Sequence, residues 1–309
     1  MVKLNIRFAS KDEGRELIQH NTQYYGRLLQ TDIDWRARKE DATLDELIAF
    51  AQDQVLDFTP DEIHLVESSV SFMEFQFNHL KCSIPVPQEI VFVKSTLKDE
   101  SEAWAYTTGN QIFLNVRLLE HFLPKTSEKI PFEKCMRFTV IIAHELFHCI
   151  TRHSPKFRQQ MYGLIGFTVM DHEIEFPEKV RNAIMANPDV EHIDNYAEFN
   201  INGVRRKCVL LSLYTDSWAG AYAKQGDSAR FFANNQAYLM ALDDLHTPID
   251  IDDAVDFWDK IGQNTEYVTA PEECLADNFS YAVVLGPERN YGSPWLIEAI
   301  YDTLTNFKE

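Results

Sequence analysis

The chain has 309 residues and a formal net charge of −19. Nucleic acids and anionic membranes attract basic surfaces, so this charge argues against both as partners. The hydrophobic fraction of 45% and the charged fraction of 25% are ordinary for a folded globular protein. The length is enough for one large domain or two subdomains with cores of their own.

The five cysteines are scattered along the chain and form no Cys-x-x-Cys pair. Their odd number, and the place of Cys149 inside an apolar run, are typical of reduced thiols in an intracellular protein. The opening residues "MVKLNIRFASKDEG" lack the apolar stretch of a signal peptide, and no segment approaches the roughly 18 apolar residues of a membrane span. We therefore expect a soluble, cytoplasmic protein, with export by a route that needs no cleaved signal left open.

The first part of the chain predicts helices followed by short strands. Between residues 10 and 80, apolar residues recur at three- and four-residue spacing, and Thr59-Pro60 with the acidic residues after it is typical of a helix start. The run "QEIVFVKS" predicts a strand, and "AWAYTTGNQIFLNV" predicts a hairpin that turns at Gly109-Asn110.

The remainder predicts mainly helices. "NVRLLEHFL", "FEKCMRFTVIIAHELFHCITRH", "PKFRQQMYGLIGF" and "PEKVRNAIMAN" have helical spacing, and a second hairpin is predicted to turn at Asn202-Gly203. Helices are also predicted for "SARFFANNQAYLMALDDL", "DIDDAVDFWDKIG", "PEECLADNFSYAVVLG" and "SPWLIEAIYDTLTNF". We expect a helix-rich α+β fold with a few short strands, most of them before the long helix.

The long helix contains the pattern H-E-x-x-H at His144, Glu145 and His148. Residues four apart on a helix lie on one side, so both imidazoles can bind one cation, while Glu145, offset by roughly 100°, can reach a water on that cation. The other side chains at 140–150 are mostly apolar, which indicates a buried helix where an ionised Glu145 is costly unless a metal requires it. A hydrogen-bonded structural cluster is the alternative.

A catalytic zinc site needs three protein ligands and an open position for water. The metzincin pattern requires glycine at position 151 and histidine at position 154, where this chain has Thr151 and Ser154. His153 is one residue short of that position, so the metzincin pattern is excluded. We expect His153 at the surface, at the end of the helix.

A later segment offers carboxylates for the third ligand. Thr269 and Glu272 have the spacing of a capping box, which predicts a structural role for Glu272 at the helix start. Glu273 and Asp277 then share one face of that helix, and the residues around them indicate a buried face.

With H-E-x-x-H at 144–148 and E-x-x-x-D at 273–277, the chain resembles the gluzincin, or thermolysin-like, zinc metallopeptidases. The resemblance covers these two helices. It implies that His144, His148 and Glu273 bind Zn²⁺ and that Asp277 accepts a hydrogen bond from a zinc-bound histidine. Glu272 is the alternative third ligand.

The resemblance also implies a zincin-like catalytic domain with a small mixed sheet, an active-site helix and a mainly helical C-terminal subdomain. We expect an N-terminal subdomain at residues 1–153 and a C-terminal subdomain at residues 154–309, which together form one catalytic unit. One arm of "AWAYTTGNQIFLNV" would lie antiparallel to a bound peptide, although an ordinary hairpin is equally compatible. Candidates for stabilising an oxyanion, by residue type alone, are His192, Tyr196, His246 and Tyr291.

The function predicted from the sequence is a zinc-dependent metallopeptidase that cleaves peptide or protein substrates. A zinc-activated water would attack the peptide bond, with Glu145 as the general base. Two alternatives share the same residues. One is a non-catalytic interaction or scaffold protein that binds zinc, and the other is a zinc hydrolase of a non-peptide amide.

Overall fold

The computed structural model describes residues 1–123 and 131–308 and has a helix-rich α+β fold. None of the helices in these residues is both long enough and apolar enough to cross a membrane. The described α-helices are α1 (Lys11–His20), α2 (Thr22–Tyr25), α3 (Gln30–Ala37), α4 (Leu44–Asp53), α5 (Pro60–His79), α6 (Val116–Phe122), α7 (Phe132–His153), α8 (Pro155–Leu164), α9 (Glu178–Arg181), α10 (Trp218–Gln225), α11 (Phe257–Ile261), α12 (Pro271–Ser280) and α13 (Pro294–Asn306).

The described strands form two five-stranded sheets. They are β1 (Ile6–Phe8), β2 (Val55–Leu56), β3 (Ile90–Ser95), β4 (Ala105–Thr108), β5 (Gln111–Asn115), β6 (Thr168–Val169), β7 (Asn195–Ile201), β8 (Val204–Tyr214), β9 (Asn235–Ala241) and β10 (Asp244–Asp250). The first sheet has the order β1-β3-β5-β4, with β2 also paired to β3. The second sheet has the order β10-β9-β8-β7-β6.

The first sheet is mixed, as predicted. Strand β3 lies between β1 and β5, runs parallel to both, and has all six residues buried, which suits its run of Ile, Val and Phe. Strand β4 is antiparallel to β5 and has no second neighbour among the described strands, so it forms the edge of this sheet.

Both predicted hairpins are confirmed. In the first, Thr108 pairs with Gln111 across a two-residue turn in which Gly109 has a φ of +54°. In the second, Asn202 and Gly203 have φ values of +50° and +90°, the backbone that a type I′ turn requires at both central positions. This explains why an Asn-Gly pair joins β7 to β8.

Helix α7 is confirmed over the whole predicted segment, from Phe132 to an exposed His153. It packs against α5 and α12, and most of its side chains from Phe138 onwards are buried. The ring of Phe147 on α7 packs against that of Phe279 on α12. The motif helix therefore lies in the main hydrophobic core, beside the helix that carries the predicted third ligand.

The expectation of a mainly helical region after α7 needs correction. Residues 228–245, predicted to be one helix, contain a 3-10 turn at Phe231–Ala233, the strand β9 and the start of β10. The second sheet thus lies after α7, whereas most strands were expected before it. Strand β9 pairs with β8 along its whole length, and this pairing outweighs the helical preference of Ala, Leu and Met in the segment.

Three other predicted helices are shorter than the sequence indicated. The segment at 177–187 is α-helical only in α9, and the segment at 250–262 is α-helical only in α11. The third, α12, ends at Ser280 and is followed by a π-helical turn at Tyr281–Leu285. Such turns are frequent near functional sites.

Candidate metal centre

Helix α7 brings the two histidines of the motif together. Their ring centroids are 4.8 Å apart and the ring planes are inclined by 76°. His148 is fully buried, and the side chain of His144 is 14% exposed. Glu145, between them in the sequence, is also buried.

Helix α12 places Glu273 against both imidazoles. Its Oε2 atom lies 3.1 Å from Nε2 of His144 and 3.6 Å from Nε2 of His148. The side chain of Glu273 is 1% exposed. The three residues that the sequence predicted as zinc ligands therefore direct one atom each towards a common point.

Asp277 holds the outer nitrogen of the first imidazole. Its Oδ1 atom lies 2.8 Å from Nδ1 of His144, and its Oδ2 atom accepts a hydrogen bond of 2.5 Å from the Thr265 hydroxyl. Since a carboxylate can only accept, a neutral His144 donates from Nδ1, and its Nε2 lone pair is free for a metal.

Glu272 does not have the structural role that the capping-box spacing predicted. The residue that caps α12 is Ala270, in extended backbone, and the side chain of Thr269 makes no hydrogen bond to the helix start. Instead Glu272 turns inwards, with Oε1 3.2 Å from Nδ1 of His148. Because the helix begins at Pro271, one residue later than a Thr269 cap requires, Glu272 faces α7.

Further donors fix the Glu272 carboxylate. Thr151 donates to Oε1 at 2.5 Å and Tyr162 donates to Oε2 at 2.8 Å. Glu272 therefore does for His148 what Asp277 does for His144. The sequence contained a signal for this role. Each of the two buried imidazoles needs a hydrogen-bond acceptor at its outer nitrogen, and the sequence prediction supplied one acceptor, Asp277, for the two rings.

The spacing of the inner atoms fits a tetrahedral cation. Ligand atoms at about 2.0–2.1 Å from a tetrahedral zinc lie roughly 3.3–3.4 Å from one another. The separations of 3.1 Å and 3.6 Å from Glu273 Oε2 to the two Nε2 atoms bracket this value. The donor set of two imidazoles and one carboxylate is also one that zinc favours in catalytic sites.

Two buried polar atoms at this point have no hydrogen-bond partner among the described residues. They are Nε2 of His148 and Oε2 of Glu145. A buried polar atom without a partner is costly, and such atoms are rare in folded proteins. A metal on His148 Nε2 and a water beside Glu145 would satisfy both.

The charges at the site also favour a bound cation. Burial opposes ionisation of Glu273, but the His144 and His148 imidazoles beside its carboxylate hold its pKa well below the usual range. Burial, followed by the nearby Asp189 carboxylate, raises the pKa of Glu145 to about 8. Burial opposes protonation of His148, yet the nearby carboxylates of Asp189, Glu272 and Glu273 raise its pKa to about 10. The acidic groups thus require positive charge, which either protons or a metal ion can supply.

A cavity of about 520 Å³ opens onto the site. Its walls include His144, Glu145 and Glu273 on one side and the edge strand β4 with Trp104 on another. The exposed aromatic rings of Trp104 and Phe232 both line it. A substrate can therefore approach the predicted ligands from solvent along β4.

Three residues of this cavity were not predicted from the sequence. Asn187 donates from Nδ2 to Oε1 of Glu273, Tyr267 lies over the His144 ring with centroids 6.3 Å apart, and Asp189 lies beside Glu145. Asn187 and Asp189 belong to an irregular segment without a local pattern. Among the described wall residues, none is His192, Tyr196, His246 or Tyr291, the four oxyanion candidates chosen by residue type.

Comparisons of the chain with protein-family models, with curated proteins and with solved structures found no match.

Proposed function

We propose that the protein is a zinc-dependent metallopeptidase of the gluzincin type. The observation that carries this proposal is the meeting of His144 Nε2, His148 Nε2 and Glu273 Oε2 at one point, beside a buried Glu145, on the wall of an open cavity. His144, His148 and Glu273 would hold the ion.

A bound zinc ion would polarise the scissile carbonyl and lower the pKa of a water molecule. The chain's own residues do the rest. Asp277 and Glu272 keep both imidazoles with Nε2 directed inwards, and Asn187 fixes the free oxygen of Glu273. Fixed ligands keep the open position of the site in place for the substrate.

Glu145 acts as general base and then as general acid. Its carboxylate is buried next to the ligands, and its unpartnered Oε2 can accept a proton from the attacking water. The same oxygen then delivers that proton to the leaving nitrogen.

The edge strand supports a peptide as the substrate. Strand β4 borders the cavity and, among the described strands, pairs with β5 alone, so the outward main-chain groups of Ala105 are available to an extended chain. The open cavity and the unpartnered oxygen of Glu145 favour an enzyme over a scaffold protein with structural zinc, because such a site needs neither.

Two substitutions test the proposal. Glu273→Ala should lose stoichiometric zinc, measured by metal analysis of the purified protein beside the wild type. Glu145→Gln should keep zinc but lose hydrolysis of a peptide library by about 100-fold or more. Tight binding of one zinc by Glu273→Ala would contradict the assignment of the third ligand, and full activity of Glu145→Gln would contradict the mechanism.

A further inference from the structure

The cavity beside the predicted metal site is anionic. Among the described residues that line it there is neither lysine nor arginine, but there are five acidic side chains: Glu100, Glu145, Asp189, Glu273 and Asp277. A cavity of this kind attracts a cationic group of a substrate. Only a carboxylate with a free oxygen atom can bind such a cationic group.

Four of the five carboxylates already have a partner or a role. Glu273 is a predicted ligand, Asp277 holds His144, and Glu145 is the proposed base. Glu100 directs Oε1 to the guanidinium of Arg36 at 2.9 Å. Asp189 remains.

Asp189 is held by one oxygen only. Its Oδ1 atom accepts hydrogen bonds from the main-chain nitrogen and the hydroxyl of Thr107, at 2.7 and 2.6 Å, whereas no described hydrogen bond uses Oδ2. The side chain is 11% exposed. The neighbouring Oε2 atom of Glu145 is buried and also lacks a partner, so two acceptor atoms in this corner of the cavity await a donor.

The free edge of β4 ends beside Asp189, in the same corner of the cavity. The turn pairs Thr108 with Gln111, so the main-chain groups of Thr107 and Ala105 point away from β5. At Thr107, however, the nitrogen donates to Asp189 and the carbonyl accepts from Arg152. Only Ala105 is left to pair with a peptide, and a chain running past it meets Asp189.

The distances allow one substrate residue to fit between Asp189 and the proposed base, Glu145. The candidate ligand atoms of Asp189, Glu145 and His148 all lie within 4.8 Å of one another. In a peptide, the α-nitrogen of a residue lies about 2.5 Å from its own carbonyl carbon. An α-ammonium bound to Asp189 therefore leaves the first carbonyl beside Glu145.

We infer that Asp189 binds the α-ammonium of a peptide substrate, so that the protein removes single residues from the amino terminus. This inference rests on the proposed metallopeptidase function and specifies its substrate. Water adds its oxygen to the first carbonyl carbon, the bond from that carbon to the next nitrogen breaks, and Glu145 carries a proton to the leaving amine. Nothing is oxidised or reduced.

The test measures binding without turnover. The probe is a phenylalanine–tetra-alanine peptide, with and without an N-acetyl group, because Trp104, Val140 and Ile141 give the cavity an apolar wall. With zinc-loaded Glu145→Gln protein in a calorimeter, the free amine should bind at least about tenfold more tightly, as a charge-assisted hydrogen bond implies. Equal affinities, or no binding of either peptide, would overturn the inference.

A second substitution isolates Asp189. Adding Asp189→Asn keeps an acceptor for Thr107 but removes the charge, so the preference for the free amine should fall to within about threefold. The matched control is Glu191→Gln, a carboxylate two residues further on that pairs with Arg152 and does not line this cavity. The control should retain the preference. A preference that survives Asp189→Asn would contradict the assignment.

Product analysis with the wild-type protein separates the two proposals. Release of free phenylalanine from the unblocked peptide supports both. Cleavage at internal bonds, or of the acetylated peptide, would keep the metallopeptidase and overturn the aminopeptidase. Preferential binding of the free amine without any hydrolysis would overturn the proposed function and leave the ammonium site in place.

Discussion

Glu272 Oε1 lies 3.2 Å from Nδ1 of His148, and this contact turns the other nitrogen of the ring towards Glu273. The adjacent Glu273 is thus the predicted ligand, while Glu272 orients the His148 ring. Successive helical residues point about 100° apart, so Glu272 can contact Nδ1 of His148 while Glu273 lies near Nε2 of the same ring.

Glu272→Gln should weaken zinc binding by about 10- to 100-fold, because the neutral amide holds His148 less firmly in the required tautomer. Competition with a chromophoric chelator measures the affinity. The matched control is Glu298→Gln, an exposed position on α13, which should match the wild type. An unchanged affinity in Glu272→Gln would show that His148 does not depend on this contact.

Zinc should stabilise the folded protein. The donors come from α7 and α12, which are far apart in sequence, so the unfolded chain has no such site and binding favours the folded state. At free zinc 100-fold above its dissociation constant, the free energy of unfolding should rise by about 2.7 kcal/mol. Denaturant titrations with zinc and with EDTA measure the difference. Glu273→Ala should show little of it, and an equal gain in that variant would place the metal elsewhere.

Asp99→Asn should stabilise the protein increasingly as the pH rises. Asp99 is 3% exposed, and burial raises the pKa of its carboxyl to about 7. In the unfolded chain the pKa is about 3.9. The folded state therefore binds the Asp99 proton more tightly than the unfolded state does. This binding stabilises the wild type fully below pH 4, and the stabilisation is lost as the pH rises to 7. The Asp99→Asn variant has no titrating group at this position, so it does not lose stability in this way.

The measurement for Asp99 is the difference in Tm between Asp99→Asn and the wild type from pH 4 to 8. The difference should grow up to about pH 7 and then level off. Groups common to both proteins cancel, so a difference independent of pH would contradict a raised pKa for Asp99.

Arg36→Met should destabilise the protein by about 3–5 kcal/mol, because it leaves two buried carboxylates without their counter-ion. The guanidinium of Arg36 is fully buried and lies 2.9 Å from Glu100 and 3.4 Å from Asp32. The control is Arg137→Met, whose exposed pair with Glu133 should contribute less than about 0.5 kcal/mol. Urea unfolding compares the two, and equal losses would refute the role of burial.

The elements predicted best from the sequence are those with strong local signals. Helix α7 has a mostly apolar segment at 140–150, and the turns at Gly109 and Asn202-Gly203 require backbone that these residues adopt readily. The resemblance to the gluzincins, with one motif on each of two helices, implied that Glu273 meets the two histidines. The structure brings these residues together.

The parts that the sequence did not predict depend on partners distant in the chain. Strand β9 has residues that also favour a helix, and it is a strand because β8 lies beside it. Glu272 matches a local capping pattern, yet the actual start of α12 directs it to His148. Asn187 and Asp189 reach the site through an irregular segment whose course no periodicity indicates.

The contacts at Thr107 also bear on self-association. An exposed edge strand with unpaired main-chain groups is a template for the strands of other molecules, and such pairing leads to aggregation. In β4, Asp189 and Arg152 occupy the outward groups of Thr107, so an incoming strand would find hydrogen-bonding positions only at Ala105. One residue is too short a template for a stable intermolecular sheet. Asp189 and Arg152 thereby keep the β4 edges of two copies of the protein from pairing with each other.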